Sequence, residues 1–351
     1  MLFNSAIAAA SLIATVAAAE HGHKHEKRDV VYVTETQLTT VTQGAAAGTA
    51  AAVAPAAAAV VSAVAQAKGA KTTAAAVTKA STTLTTAASS PTSSAGFNGG
   101  AKGITYSPYN ADGTCKSLSS VQSDLAQMDD FAIIRLYGVD CNQVENVLQA
   151  KKTTQKVFAG IYFMDAITAG IQQLASAVSS YGSWDDIYTV SIGNELVNSG
   201  QATVSQIAGY VAEGRTALKA AGYTGPVVSV DTFIAVINNP GLCSYSDYMA
   251  VNAHAFFDGL IAAAGSGDWV LLQIQRVWSA CNGDKDVLIT ETGWPSQGEN
   301  NNVAVPSKAN QEAAIASIKA KAGSSCILFN AFNDYWKADG AFAAEKYWGI
   351  L

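Results

Sequence analysis

Between residues 101 and 351, short apolar runs rich in β-branched residues alternate with longer amphipathic stretches. This alternation is typical of βαβ units built around a parallel sheet. It predicts eight strands, at 102–106, 131–137, 157–163, 187–193, 226–231, 248–254, 286–291 and 326–332. It predicts helices at 117–129, 141–152, 167–181, 202–221, 268–280 and 307–322. The crossover after the fifth strand is poorly marked.

Eight strands separated by helices are the number that closes a (β/α)8 TIM barrel, which typically needs about 250 residues. The segment 98–351 has the required length. We therefore predict an α/β fold, a (β/α)8 TIM barrel over 98–351, preceded by a disordered Ala/Ser/Thr-rich region.

The chain before this segment has a different composition. All but three of the 6 Trp, 13 Tyr and 11 Phe lie after position 97, and residues 29–97 are mostly Ala, Thr, Ser and Val. Such a composition buries too little apolar area to offset the entropy lost on ordering. We expect 29–97 to be an exposed, low-complexity spacer, and its Ser/Thr tracts with Pro are typical of O-glycosylated segments.

The first 28 residues carry targeting signals. Residues 1–19 form an apolar, Ala-rich leader that ends in small residues, as signal peptides do. Residues 20–28 end in Lys27-Arg28, which resembles a dibasic processing site and predicts a propeptide. His21, His23 and His25 in this stretch offer a metal-binding alternative, which we consider weaker because such tracts specify little. We expect a secreted protein with no membrane segment after cleavage.

Two predicted strands end in a glutamate. The run 187–193 leads to Asn194-Glu195, and the run that begins at 286 leads to Glu291, where Gly and Pro then turn the chain. In an α/β barrel, side chains at the C-terminal ends of different strands converge on one mouth. Two carboxyl groups about 5–5.5 Å apart are what a retaining glycosidase uses, one as acid/base and the other as nucleophile.

Three motifs resemble glycoside hydrolase family 17: G-N-E at 193–195, T-E-T-G-W-P-S at 290–296 and R-L-Y-G-V-D-C at 135–141. The resemblance covers roughly 101–351 and implies a retaining enzyme for β-1,3-glucan on a (β/α)8 barrel. It implies that Glu195 is the proton donor and Glu291 the nucleophile. Within the family the likeness is greatest to fungal cell-wall and surface mannoproteins, which implies delivery to the cell wall.

Further residues near the predicted strand ends are candidate substrate ligands. Arg135 or Tyr137 can hold Glu291 ionised by charge or hydrogen bonding. Asn194 adjoins the proposed acid and can bond a sugar 2-hydroxyl as oxocarbenium character develops. Asp231 ends the fifth predicted strand and is a further candidate.

Two tryptophans are candidate sugar platforms. Trp294 and Trp336 lie in predicted loops after strands, where an indole face can stack on a sugar ring. His254 is a weaker candidate for the site, since a lone His at a strand end is as often structural.

The net charge and the spacing of the cysteines indicate which ligands and cofactors to expect. The formal net charge is −6 and basic residues are scattered, which argues against nucleic acid and suits a neutral β-glucan. The cysteines show no C-x-x-C or clustered Cys/His spacing of the kind that binds zinc, and we expect no metal or other cofactor. We also expect a monomer.

Five cysteines lie in the predicted barrel, and a secretory route favours disulfides. Cys115 and Cys141 follow adjacent strands and should pair. For the second disulfide, Cys243 with Cys281 and Cys281 with Cys326 remain alternatives.

A second functional hypothesis stays open. The spacer also suits a structural or adhesive cell-wall mannoprotein whose barrel is vestigial. The two strand-end carboxylates favour an enzyme, because folding alone does not require them. Hydrolysis and transglycosylation use the same two carboxylates, so the sequence does not separate an endo-β-1,3-glucanase from a β-1,3-glucanosyltransferase.

Overall fold

The computed structural model describes residues 100–351. The predicted signal peptide 1–19, propeptide 20–28 and spacer 29–97 lie outside the described residues. Within the described part, eight parallel strands form a closed barrel in chain order, which confirms the (β/α)8 fold. The strands are β1 (Gly103–Thr105), β2 (Ile133–Arg135), β3 (Lys156–Ile161), β4 (Ile187–Asn194), β5 (Val227–Thr232), β6 (Met249–Asn252), β7 (Val287–Thr292) and β8 (Cys326–Leu328).

Helices surround the barrel, and their starts follow the cap residues of the sequence. Thr203 and Gln206 form a reciprocal capping box, and the Ser307 side chain accepts the backbone N–H of Asn310. The helices are α1 (Leu118–Leu125), α2 (Gln143–Ala150), α3 (Ile167–Tyr181), α4 (Val204–Ala220), α5 (Phe233–Asn238), α6 (Ala255–Asp258), α7 (Ser266–Ala280) and α8 (Lys308–Ala322). The six predicted helices are all present. The poorly marked crossover contains α5, which is too short to show a helical repeat.

Alternate residues of each strand face the barrel interior or the layer under the helices. Ile134 belongs to the large core that includes helix residues, whereas its neighbour Ile133 belongs to a separate apolar layer. That layer fills the barrel and consists of Ile133, Phe158, Val228, Val230, Ala250, Leu288 and Ile327. Arg135 lies two residues beyond Ile133 and therefore faces the same interior, nearer the mouth.

Several strands are shorter than predicted. The run 131–137 contains only the three paired residues of β2, yet Phe131 and Leu136 on either side of it are buried. The run 326–332 likewise contains only the three residues of β8. Packing buries these residues beyond the ends of the assigned strands, so an apolar run overestimates strand length.

Two disulfides join loops to helices. Cys115 pairs with Cys141, as predicted, and Cys243 pairs with Cys281, which decides between the two open alternatives. Cys326 is a free, buried thiol at the start of β8. Among residues 100–351, no helix is both long and apolar enough to cross a bilayer.

The thiol chemistry gives a first prediction. Burial raises the pKa of Cys326 to about 12, so it should form almost no thiolate at pH 8. Ellman's reagent should detect no thiol in the native protein. In protein unfolded in guanidinium without reductant, it should detect one thiol per chain. Three or five thiols in the unfolded protein would contradict the pairing, and prompt reaction of the native protein would contradict the burial of Cys326.

Candidate active site

Glu195 and Glu291 lie at the mouth of the barrel, on β4 and β7. Glu291 is the fifth of the six residues of β7, and Glu195 directly follows the last residue of β4. The chain turns sharply there, because Gly193 and Glu195 both have positive φ, of 76° and 55°. Glycine takes such a conformation at little cost, whereas a glutamate in it must be held by its surroundings.

Glu291 is buried against a cation and a hydroxyl. The residue is 1% exposed. Its Oε1 accepts hydrogen bonds from Nη1 of Arg135 at 2.9 Å and from the hydroxyl of Tyr137 at 2.8 Å. Its Oε2 lies 3.4 Å from Nε2 of His254. A buried carboxylate with these partners is favoured in its ionised form. The structure thus brings Arg135 and Tyr137 to Glu291, as the sequence predicts.

Arg135 connects three strands of the barrel. Besides Glu291, its Nη1 donates to the backbone oxygen of Thr290 at 2.8 Å, and its Nη2 donates to Oδ1 of Asn194 at 2.8 Å. The residue is 1% exposed, so this charge is compensated almost entirely by protein groups. One guanidinium on β2 therefore fixes the side chains of Asn194, at the end of β4, and Glu291, on β7.

Glu195 has a different, neutral partner. Nδ2 of Asn252 donates to its Oε1 at 2.6 Å. Exchanging the amide oxygen and nitrogen of Asn252 would lose a hydrogen bond, because Oδ1 accepts the hydroxyl of Thr290 at 2.8 Å. Glu195 is only partly buried and remains accessible from the mouth. The sequence reading missed Asn252 and Thr290; a polar residue at an inward position of an apolar strand is the signal that could have found them.

The structure corrects the expectation for Trp294. Its indole is fully buried, with Nε1 donating to the backbone oxygen of Val305 at 3.1 Å, and the ring packs edge-on against Phe256 at 5.4 Å. No face of the ring is open to a sugar. The backbone beside it is also closely packed, since a Cβ at Gly293 would lie 2.0 Å from the backbone oxygen of Phe329. The loop position that suggested exposure therefore misled the prediction.

Asp231 is also turned away from the mouth. It is 3% exposed, and its carboxylate accepts the backbone N–H groups of Val197, Asn198 and Thr232 at 2.8, 3.1 and 2.8 Å. Burial raises the pKa of Asp231 to about 7, and the charge of Glu195 adds to the rise. Its acceptor positions are occupied by the protein backbone, so it is not a sugar ligand in this arrangement.

Trp336 keeps its place as a candidate platform. The ring is partly exposed and lies 4.7 Å from the ring of Tyr109. Its Nε1 donates to Ser107 at 3.1 Å and to Asp334 at 3.0 Å, which fixes the indole orientation. These contacts leave the aromatic pair at the edge of the mouth, on the loops that follow β1 and β8.

His254 belongs to an aromatic wall beside Glu291. Its ring meets those of Phe257, Phe329 and Trp348 edge-on at 6.0, 5.3 and 4.9 Å. Its Nδ1 is buried without a hydrogen-bond partner. Within the part of the chain that the structure describes, no group of three or more His, Cys, Asp and Glu side chains could hold a metal ion.

Comparison with known proteins identifies the family. The family model of the BtgE/BtgC glycoside hydrolase domain matches residues 103–349. A Saccharomyces cerevisiae protein, probable family 17 glucosidase SCW4, is 66% identical over 73% of this chain and 66% of its own length. The chain belongs to glycoside hydrolase family 17.

A second relative and a solved structure are also similar to this chain. Cell surface mannoprotein MP65 of Candida albicans is 71% identical over 74% of this chain and 68% of its own length. The chain thus spans about two thirds of these relatives. An active-site mutant of the Rhizomucor miehei β-1,3-glucanosyltransferase, solved with laminaritriose, is 20% identical. It shares the fold with a TM-score of 0.62 over 72% of this chain and 94% of that one.

The buried ion pair of this family 17 barrel gives a second prediction. Removing one partner of a buried pair leaves an uncompensated charge and typically costs about 3–5 kcal/mol. Arg135→Met should therefore lower the free energy of unfolding by that amount, measured by urea denaturation. Adding Glu291→Gln should recover part of the loss, because the unpaired charge is then gone.

The matched control is an exposed pair. Lys152 and Asp129 form a salt bridge with side chains 54% and 41% exposed. Lys152→Met should change stability by only about 0–1 kcal/mol. Equal losses for Arg135→Met and Lys152→Met would show that the Arg135–Glu291 pair is not desolvated as described.

Proposed function

We propose that this protein is a retaining glycoside hydrolase that acts on β-1,3-glucan, with Glu195 as acid/base and Glu291 as nucleophile. The observation that carries the proposal is the contrast between the two carboxyl environments. Glu291 is buried against Arg135 and Tyr137, whereas Glu195 is partly exposed and bonded to the neutral amide of Asn252. Two carboxyl groups with such different surroundings suit the two roles of a retaining mechanism.

In the first step, Glu291 attacks the anomeric carbon of the sugar while the glycosidic bond breaks. The proton on Glu195 passes to the glycosidic oxygen, and the leaving sugar departs with a free hydroxyl. Arg135 and Tyr137 both donate to Oε1 of Glu291 and so keep the carboxylate ionised and aimed before attack. Asn194 has its amide oxygen occupied by Arg135, so its N–H₂ end is the one suited to donate to the sugar 2-hydroxyl.

In the second step, Glu195 acts as a base. It removes a proton from water or from a sugar hydroxyl, whose oxygen attacks the anomeric carbon and displaces Glu291 as a carboxylate. Attack by water gives hydrolysis, and attack by a sugar hydroxyl gives transglycosylation. We propose that both reactions occur at this site and that transfer grows as the acceptor concentration rises.

Two observations support the substrate class: a similar solved structure and the aromatic side chains at the mouth of the barrel. The structural neighbour is a β-1,3-glucanosyltransferase, and laminaritriose is its bound ligand. The partly exposed pair of Trp336 and Tyr109 offers aromatic surface of the kind on which sugar rings stack. Together these support a β-1,3-glucan chain as the substrate of this protein.

We also propose that the protein is secreted to the fungal cell wall. Its relatives carry the names cell surface mannoprotein and family 17 glucosidase. The first of these names favours the second candidate function, a structural or adhesive mannoprotein. Release of reducing sugar from linear β-1,3-glucan by the purified protein distinguishes the two, because a vestigial barrel would release none.

Replacement of the proposed nucleophile gives a third prediction. Glu291→Gln keeps the shape and removes the attacking carboxylate, so turnover of β-1,3-glucan should fall below a few per cent while glucan binding persists. The matched control is Glu299→Gln, because Glu299 is exposed in the loop after β7. Substantial activity in Glu291→Gln, or equal loss in Glu299→Gln, would contradict the assigned role.

The stereochemistry gives a fourth prediction. Double displacement inverts the anomeric carbon twice, so the first product should have the β-configuration. Proton NMR of the anomeric signals during the first minutes of reaction measures it. An initial α-anomer would contradict the mechanism, whereas products longer than the substrate would show the transfer reaction.

A further inference from the structure

The segment that carries Glu195 is held by the neighbouring strand β5. The backbone N–H of Glu195 donates to the oxygen of Val230 at 2.9 Å. Two and three residues later, Val197 and Asn198 donate their N–H groups to the two carboxylate oxygens of Asp231. The turn after β4 is therefore attached to β5 both at Glu195 and just beyond it.

This attachment bears on a backbone conformation that a glutamate does not adopt readily. Glu195 has φ of 55°, in the left-handed region that favours glycine, and such residues persist only when their surroundings fix them. A second link reinforces the first, since the hydroxyl of Thr232 donates to Oδ1 of Asn198 at 3.0 Å. The contacts made by Asp231 are thus part of what determines where the Glu195 carboxyl points.

We infer that Asp231 is a positioning residue that aims Glu195 at the glycosidic oxygen by binding the backbone of residues 197 and 198. The inference rests on the proposed function, in which Glu195 delivers the proton to the leaving group. Asp231 is too well enclosed by backbone donors to touch the substrate, and it acts through Glu195. It also lies close enough to Glu195 for the two carboxyl groups to interact electrostatically.

Asp231→Asn tests the inference with almost no change of shape. An amide has one acceptor oxygen, so it can keep one of the Val197 and Asn198 contacts but must present N–H₂ to the other N–H. The turn should loosen and Glu195 should lose its aim. Misplacement of a catalytic group by about 1 Å can cost up to about 100-fold in rate.

The diagnostic readout is dependence on the leaving group. When a laminari-oligosaccharide is cleaved, the leaving sugar needs a proton from Glu195. A 2,4-dinitrophenolate group leaves without one. Asp231→Asn should therefore lower kcat on laminari-oligosaccharides by about 10- to 100-fold. The burst of dinitrophenolate from a 2,4-dinitrophenyl β-laminaribioside should keep its wild-type rate. Azide, which needs no base, should restore steady turnover and give the β-glycosyl azide.

A matched control removes a carboxylate that binds the backbone at the other end of β5. Asp247 accepts the N–H of Val227, the first residue of β5, at 2.7 Å and pairs with Arg215. Asp247→Asn should affect both substrates equally, if at all. Asn198→Ala loosens the same turn without altering the buried carboxylate. It should reproduce the leaving-group dependence in weaker form, even if Asp231→Asn does not fold.

Glu195→Gln separates the two hypotheses. If Glu195→Gln shows the leaving-group dependence and azide rescue but Asp231→Asn and Asn198→Ala lose activity equally on both substrates, the positioning role is wrong and the proposed function stands. If Glu195→Gln itself shows no such dependence, its role as acid/base fails, and the inference fails with it.

Discussion

The ion pair between Arg135 and Glu291 is the constraint around which the mouth of this barrel is arranged. Both residues are 1% exposed, so neither charge has water to stabilise it. A buried charge is tolerated only when the protein supplies its partners. Two partners, Tyr137 and the backbone of Thr290, come from the strands that carry the pair itself, and two, Asn194 and His254, come from β4 and from the residues after β6.

The same constraint separates the chemistry of the two glutamates. Arg135 binds Glu291, whereas the amide of Asn252 binds the carboxyl of Glu195, which is only partly buried. Asn252 also meets the Arg135 network, since its Oδ1 accepts from Thr290 at 2.8 Å and lies 3.4 Å from Nη1 of Arg135. A single connected network therefore joins the two carboxyl groups, with Arg135 bound to Glu291 and the neutral amide of Asn252 bound to Glu195, and this contrast suits a nucleophile and an acid/base.

Sequence patterns predicted what depends on the strands themselves. The eight strands, the two strand-end glutamates and the Arg135–Glu291 contact follow from alternation and from the convergence of strand ends. The errors concern side chains after the strands. Trp294 lies in a loop, yet it is buried in the core, and the backbone beside it at Gly293 is closely packed. No local pattern reveals that packing, because it depends on Phe329, more than thirty residues away.

Asp231 shows a different limit. Its position at a strand end was predicted, but its direction depends on which groups reach it first, and the turn after β4 provides backbone donors. Asn252 was missed for the opposite reason. It is a single amide in an apolar run, and its importance becomes visible only when the neighbouring strand places Thr290 and the turn places Glu195 beside it.

The most direct measurement of the central claim is covalent trapping of the glycosyl-enzyme. A 2-deoxy-2-fluoro-β-laminaribiosyl fluoride should inactivate the protein, since fluorine at C2 slows both steps while the fluoride leaving group at C1 keeps the first step fast enough for the intermediate to accumulate. We expect one disaccharide adduct per chain, located on Glu291 by mass spectrometry of the digested protein. An adduct on Glu195, or inactivation-free turnover without any adduct, would contradict the assignment of the ionised, Arg135-bound carboxylate as the nucleophile.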